Sequence, residues 1–395
     1  MRYFELARNI SREALRWPGI GELTANQRRK ICSATTAANM LRPVKSDPLI
    51  AATSEQWDSD PMMLATPVGV VDLKVGKMLE ASREQHCTRS TSVAPENGEP
   101  ALWIECLRTW FQGDESLMRY AHLFAGYCAT GDTREKMFAF MFGPQDTGKS
   151  TYANVLMDVL GTYAQAASID TFLETKQDRH SAELAVLEGA RLVVSPETEE
   201  GRRWSQAKIN MLTGRDKVTA RLMYGNPTSY VVQFKLLVYG KNAPHVKNVD
   251  GAFRRRLHIL PFAHSIPREE QDPQIAEKLR AEYPKILQWI IDGCIQWQEA
   301  GLPMPEAMTV ATDKYLDAED SFGEWVESKL IRDPQASCTG ADAYKSFREW
   351  AEGEGDTPMG RKRFAAQMQQ RGFDPKRTKT ARGFSGCRLR GIADG

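Results

Sequence analysis

Residues 137–151 constrain the fold more than any other stretch of the sequence. An apolar run (Met137, Phe138, Ala139, Phe140, Met141, Phe142) ends at Gly143, and Gly148, Lys149 and Ser150 follow just as a helical pattern opens. Strand, glycine loop and helix make a P-loop, which commits the chain to an α/β core. Gly143 and Gly148 let the backbone turn tightly with its N–H groups inward, and those amides with the helix N-terminus form a cradle of partial positive charge for phosphates. Lys149 brings a full charge to the β- and γ-phosphates, and Ser150 offers a hydroxyl to magnesium. The cofactors expected are ATP and Mg2+, held by Gly143, Pro144, Gln145, Asp146, Thr147, Gly148, Lys149, Ser150 and Thr151. Asp146, a carboxylate inside a phosphate loop, is expected to point outward. The competing reading, a glycine turn before an ordinary helix, does not account for the apolar strand in front of it.

The chain has 395 residues, more than one hydrophobic core serves, so two or three domains are expected. Net charge is +1 and names no partner, but residues 361–395 hold ten Lys or Arg against two Asp, which leaves the remainder slightly acidic. The seven cysteines (32, 87, 106, 128, 294, 338 and 387) are scattered and never two residues apart. That spacing excludes a zinc ribbon and offers no disulfide framework, so a reduced, cytoplasmic compartment is expected. The first residues are too charged for a signal peptide, and no apolar run is long enough to span a bilayer, so no membrane partner is expected.

Along the chain, residues 1–45 have helical spacing, with Phe4, Ala7, Ile10, Ala14 and Leu15 able to share one face and a second helix over about 26–42. Residues 61–95 read as short strands with a hairpin corner at Lys74, Val75, Gly76 and Lys77. Two helices are expected over 101–130, carrying Trp103, Leu107, Trp110, Phe111, Leu117, Tyr120, Leu123 and Tyr127. An apolar strand at 190–195 runs into Glu197 and Glu199, where one carboxylate would hold the magnesium shell and the other polarise the attacking water; a solvated acidic turn is the alternative. Strands at 218–224 and 228–234 would form a hairpin. The buried-strand pattern 235–240 leads to Asn242, placed to sense a γ-phosphate or serve as turn chemistry. Arg254, Arg255 and Arg256 precede a strand at 257–262, either as a solvated patch or as arginine fingers reaching a neighbour's nucleotide. Residues 268–330 are helical, with Leu279, Tyr283, Ile286, Leu287, Trp289, Ile290 and Ile295 as core candidates. Helices at 343–351 and 361–371, followed by a basic loop with Lys376, Arg377, Lys379 and Arg382, suggest a winged helix that meets phosphates, with a basic solvated tail as the alternative.

At this point the sequence resembles the superfamily III helicases of the phage, plasmid and poxvirus primase–helicase type. Residues 143–151, 188–203, 212–221 and 252–256 with 261–262 carry the likeness. The resemblance implies an AAA+-like P-loop ATPase core with an N-terminal α+β and helical collar and a C-terminal winged-helix-like domain. Its expected boundaries are 1–60 (helical segment), 61–135 (collar), 136–262 (ATPase core), 263–330 (helical part of the ATPase) and 331–395 (basic domain). It implies a ring, usually a hexamer, around DNA, with ATP between subunits and 3′ to 5′ movement for replication of a phage or other mobile element. By position, Lys149 and Ser150 become Walker A, Glu197 and Glu199 the Walker B acids, Asn242 sensor 1, and Arg255 or Arg256 the finger. The hairpin becomes the grip on single-stranded DNA, with Arg221 and Tyr224 as candidates, while duplex DNA would meet the C-terminal domain. Thr198 separates the two glutamates where relatives place them side by side, so which one activates water stays open. Too few residues precede the ATPase for a primase domain, which makes a separate primase a candidate partner. A DNA-bound initiator or loader, and a small-molecule P-loop kinase, are the competing functions.

Overall fold

The computed structural model describes the chain apart from residues 1, 18–20, 22, 45–46, 48–55, 175–180, 197–201, 222–226, 247–250, 320, 355–357, 378–381 and 391–395. It separates into two units, residues 1–59 with 82–88, and residues 60–81 with 89–395.

In the first unit lie α1 (Arg2–Ala14), α2 (Ala25–Ile31) and α3 (Ala34–Val44). The helix expected over 26–42 is two helices. Thr24 opens α2 with a capping box, and the Ser33 hydroxyl then accepts the Thr36 N–H at 3.2 Å, starting a new helix three residues after the first ends. The buried face of α1 also differs from expectation. Among its described side chains Ala7, as expected, and Ser11 are buried, Ser11 meeting Met40 of α3, whereas Ile10 is 45% exposed. At the other end of this unit, Thr88 donates its N–H to Asp58 and the Trp57 ring meets His86 edge-on.

The second unit starts with an antiparallel sheet of β1 (Met63–Thr66), β2 (Gly69–Asp72) and β3 (Lys77–Leu79), turning at Gly76 as expected. Helices α4 (Ala101–Trp110) and α5 (Glu115–Ala129) follow, and all eight apolar residues expected to anchor this pair are buried. The central sheet is built from β4 (Phe138–Phe142), then α6 (Lys149–Leu160), β5 (Ala164–Ala166), α7 (Ser181–Ala185), β6 (Leu192–Pro196), α8 (Gln206–Thr213), the antiparallel hairpin β7 (Lys217–Arg221) and β8 (Pro227–Val231), β9 (Lys235–Gly240), α9 (Gly251–Arg256) and β10 (Leu257–Pro261). Its five strands are all parallel, in the order β10-β4-β9-β6-β5. Such strands are buried on both faces, which is why they read as continuous apolar runs. Phe138 and Phe140 of β4 face a cluster with Trp204, Ile209 and Phe253, while Ala139 and Met141 face the cluster of α4, α5 and α6. The three-residue β5 was missed because a strand that short leaves no period to read.

Helices α10 (Ile275–Arg280), α11 (Tyr283–Ala300), α12 (Glu306–Ala318) and α13 (Ser321–Lys329) come next. Trp289 and Ile295 are only half-buried, and Ile291, Cys294 and Trp297 carry more of the α11 core than the sequence suggested. Helices α5 and α11 cross at glycines: a Cβ on Gly126 would lie 2.0 Å from the Cys294 backbone nitrogen, so only hydrogen fits. The chain closes with β11 (Leu330–Thr339), α14 (Gly340–Gly353), α15 (Arg361–Gln370), β12 (Pro375–Arg377) and β13 (Arg382–Leu389), in a sheet of order β11-β13-β12 over its own apolar core. The long β11 was not anticipated, because its burial does not alternate cleanly and its register with β13 shifts between Arg332 and Ser337.

Two buried cations tie the central sheet to α5. The Arg191 guanidinium donates to the Ala129 carbonyl at 2.7 Å and the Met63 carbonyl at 2.6 Å, and lies over the Tyr163 ring. Lys235, the first residue of β9, donates to the carbonyls of Thr130, Asp132 and Gln233 and lies over Tyr127. Both cations meet the unsatisfied carbonyls at a helix C-terminus, where positive charge is favoured. Burial still pushes the Lys235 ammonium down to about 7.

Candidate nucleotide-binding site

The loop between β4 and α6 opens at the C-terminal edge of the sheet, where ligands of α/β folds bind. Its two glycines are required for different reasons. Gly143 has φ 155°, and a Cβ there would sit 1.9 Å from the backbone oxygen of Phe262. Gly148 has φ 89°, and a Cβ there would sit 2.2 Å from Trp110 Nε1. The first glycine is pressed by main chain and the second by an indole. The segment after β10 braces the loop from outside: the Ile266 N–H donates to the Asp146 carbonyl at 2.8 Å, and the Ser265 hydroxyl donates to the Gln145 carbonyl at 2.9 Å. Asp146 takes φ 59° and its side chain is exposed, as expected.

Lys149, at the start of α6, is buried. Its ammonium lies within the loop, donating to the Gly143 carbonyl and the Thr147 hydroxyl, each at 2.9 Å, and to the Pro144 carbonyl. Ser150 is exposed beside it. A cleft of about 970 Å³ opens over this loop. Residues 145–151 form one wall, Tyr239, Gly240 and Lys241 at the end of β9 another, and Leu102, Cys106 and Trp110 of α4 with Ile266 and Ile275 a third, in which the carboxylates Glu105, Glu270 and Asp272 are interleaved. Burial, reinforced by Glu105, pushes the Cys106 thiol up to about 12, so it lines the cleft as a neutral group. The loop fits a polyphosphate: two positions where a side chain is sterically opposed, one ammonium held among carbonyls, and a hydroxyl beside it, with Leu102, Ile266 and Ile275 offering apolar surface to a base between the carboxylates of the third wall.

The other candidate residues are distributed as follows. Strand β6 ends at Pro196, paired with Tyr239 of β9; Glu197 and Glu199 lie outside the described residues. Just before them, Ser195 is fully buried with no hydrogen-bond partner for its hydroxyl among the described residues. Asn242 is half-buried two residues beyond β9, where Lys241 rather than Asn242 lines the cleft. The three arginines of α9 differ sharply. Arg254 is paired with Asp313 at 2.5 Å and Asp317 at 2.8 Å. Arg256 donates to the Thr213 hydroxyl at 2.9 Å and the Ala252 carbonyl at 3.1 Å. Arg255 is exposed, with no such partner found among the described residues. Arg221 ends β7 exposed, and Tyr224 lies outside the described residues. In the C-terminal sheet Arg377 faces Arg382 across the β12–β13 pair, Lys376 is exposed beside them, and Lys379 lies outside the described residues.

Trp110, Lys241 and Ser195 were not singled out as site residues. The sequence pattern marks Trp110 only as core, and nothing in the spacing of α4 shows that its indole reaches Gly148. Lys241 stood next to the residue chosen.

Residues 5–112 match the family described as "D5 N terminal like", and residues 141–256 match a "Family of unknown function (DUF5906)". The chain is 23% identical over 318 residues to "Putative helicase L207/L206" of Acanthamoeba polyphaga mimivirus, covering 74% of this chain and 33% of that protein. It is 28% identical over 259 residues to "Putative helicase 022R" of Frog virus 3, covering 60% and 26%. The chain is thus similar to viral proteins named as putative helicases and, over its first part, to the D5 N-terminal-like family. Among solved structures, the apo A form of the NrS-1 C-terminal region shares the fold, with a TM-score of 0.50, 10% identity, and 90% and 91% of the two chains covered. The chain spans about a third or less of the length of the curated relatives it matches. No helix among its described residues is long and apolar enough to cross a membrane.

Proposed function

We propose that this chain is an ATP-dependent, ring-forming DNA helicase motor, acting with 3′ to 5′ polarity in replication of a phage or other mobile element. The observation that carries the reading is the contrast among the α9 arginines. Arg254 and Arg256 are bound within the chain, while Arg255 is exposed with no described partner, on a protein whose P-loop cleft is open to solvent. A lone exposed guanidinium suits transition-state charge on a neighbour's nucleotide. In this reading ATP bound with Mg2+ supplies the phosphoanhydride to be cleaved. Gly143 to Thr151 hold its phosphates, Ser150 and Glu197 face the metal, Glu197 or Glu199 orients water, and Asn242 contacts the γ-phosphate. The core would be AAA+-like, with α4 and α5 as collar and the C-terminal unit as a winged-helix-like DNA contact. The hairpin tip with Arg221 and Tyr224 would grip the single strand.

Subunit mixing tests it. Lys149→Ala and Arg255→Ala should each lower DNA-stimulated ATP turnover by 10³-fold or more. A mixture of the two inactive proteins should regain activity, because some interfaces then pair an intact lysine with an intact arginine. No recovery, or full turnover by Arg255→Ala, rejects shared sites. Strand displacement on a forked duplex separates the helicase from the second reading, an initiator or loader, which the basic β12–β13 pair favours.

A further inference from the structure

The spacing of the seven cysteines offers no disulfide framework, yet the fold brings two of them into contact. Cys338 on β11 and Cys387 on β13 lie 49 positions apart in sequence, and their sulfurs are 3.4 Å apart. Among the described residues this is the single contact recorded between two cysteine sulfurs. The register irregularity between Arg332 and Ser337 makes it possible. Cys387 pairs with Arg332 before the shift, Cys338 pairs with Phe384 after it, and both thiols turn toward the same apolar core. Cys387 is fully buried and Cys338 only partly.

We propose that Cys338 and Cys387 form a reversible intramolecular disulfide, closed by a small-molecule disulfide such as oxidised glutathione, with Cys338 as the entry thiol. The sulfurs need to approach from 3.4 Å to about 2.0 Å, a movement shared between two side chains on strands already hydrogen-bonded. The exchange balances in two steps. The Cys338 thiolate attacks one sulfur of the oxidant and expels one glutathione thiolate, leaving a mixed disulfide. Cys387 then attacks the Cys338 sulfur and expels the second glutathione, which leaves with the proton Cys387 gives up. Two protein thiols are oxidised and one small disulfide is reduced to two thiols. Burial raises both thiols above their ordinary range, Cys387 to about 12, so neither is a standing thiolate and the reaction requires a deliberate oxidant.

The bond would fasten β11 to β13 at the base of the basic β12–β13 pair. Lys376 already reaches the Ser337 hydroxyl there, next to Cys338, and Arg377 faces Arg382 a few positions along. Oxidation would therefore set how freely the strand pair carrying these cations can splay. This inference is independent of the nucleotide reading.

The test uses the full-length protein, incubated with oxidised glutathione, quenched with a maleimide under denaturing conditions and digested without reductant. Mass spectrometry should find one cross-linked peptide pair joining Cys338 and Cys387, with the count of labelled thiols falling by two and recovering after dithiothreitol. Cys387→Ser should stop at glutathione on Cys338. If wild type also stops there, or if Cys32 and Cys87 react while Cys338 and Cys387 stay labelled by maleimide, the proposal is overturned. The wild-type result stands alone should the variant fail to fold.

Discussion

Replacing Gly148 with alanine separates two penalties that the structure assigns to different neighbours. The backbone there has φ 89°, and an L residue in left-handed territory costs about 1–2 kcal/mol. The added Cβ would also lie 2.2, 2.3 and 2.5 Å from three atoms of the Trp110 indole. Trp110 is 4% exposed and stands edge-on to Trp103 with ring centres 5.7 Å apart, so it has little room to retreat. Overpacking of that kind costs about 1–3 kcal/mol, and the full penalty is about 2–5 kcal/mol. In a Trp110→Leu background the steric share should vanish and the backbone share remain, giving a coupling of about 1–3 kcal/mol in the double-mutant cycle. Gly143→Ala should show no such relief in any side-chain background, because its obstacle is the Phe262 backbone oxygen at 1.9 Å. A chain of two units does not unfold in one step, so the readout is native-state hydrogen exchange of the β4 amides rather than a single melting curve. If Gly148→Ala costs the same in both backgrounds to within about 0.5 kcal/mol, Trp110 does not rest on the loop and the cleft has been drawn wrongly.

Arg256→Ala should lose about 1–2 kcal/mol through the orphaned Thr213 contact yet keep ATP turnover near wild type, the opposite of Arg255→Ala, by parallel unfolding and phosphate-release assays. Lys235 is held near 7 in the folded state against 10.5 when free, so between those pH values the unfolded chain binds more protons and stability rises with pH. Relative to Lys235→Met, wild type should therefore gain up to about 1.4 kcal/mol per pH unit across that window, measured in its lower part by native-state hydrogen exchange of the β9 amides; a flat difference would place the ammonium in a wetter site. Gly126→Ala should weaken the α5–α11 crossing by at least about 1–3 kcal/mol, seen as faster hydrogen exchange in both helices.

The phosphate loop could be read from sequence because its chemistry is local. A tight turn, an inward lysine and a following helix are written in consecutive residues, and the loop and α6 fall where residues 137–161 place them. The hairpin, β9 and β10 were legible for the same reason, each being a short periodic run bounded by turn residues. What could not be read depends on contacts across the chain. Trp110 stands 38 positions before Gly148 and looked like one more core aromatic. Arg191 and Lys235 looked like ordinary charges at strand starts, and only the fold shows them closing the carbonyls at the end of α5. The sequence offered Arg255 and Arg256 as equals, and what separates them is Thr213, brought near by the packing of α8 on α9. The break between α2 and α3 was missed because Ser33 acts as a helix start there, while the helical period carries on through it.

Strand β9 runs six residues, about 20 Å, from Lys235 to Gly240. At one end its ammonium is lodged under the last turn of α5, and at the other its backbone lines the cleft beside Lys149. The hairpin's second strand ends at Val231, with three residues between it and Lys235. A push on the cleft end of this rod meets the helix directly, and meets the hairpin stem through residues 232–234.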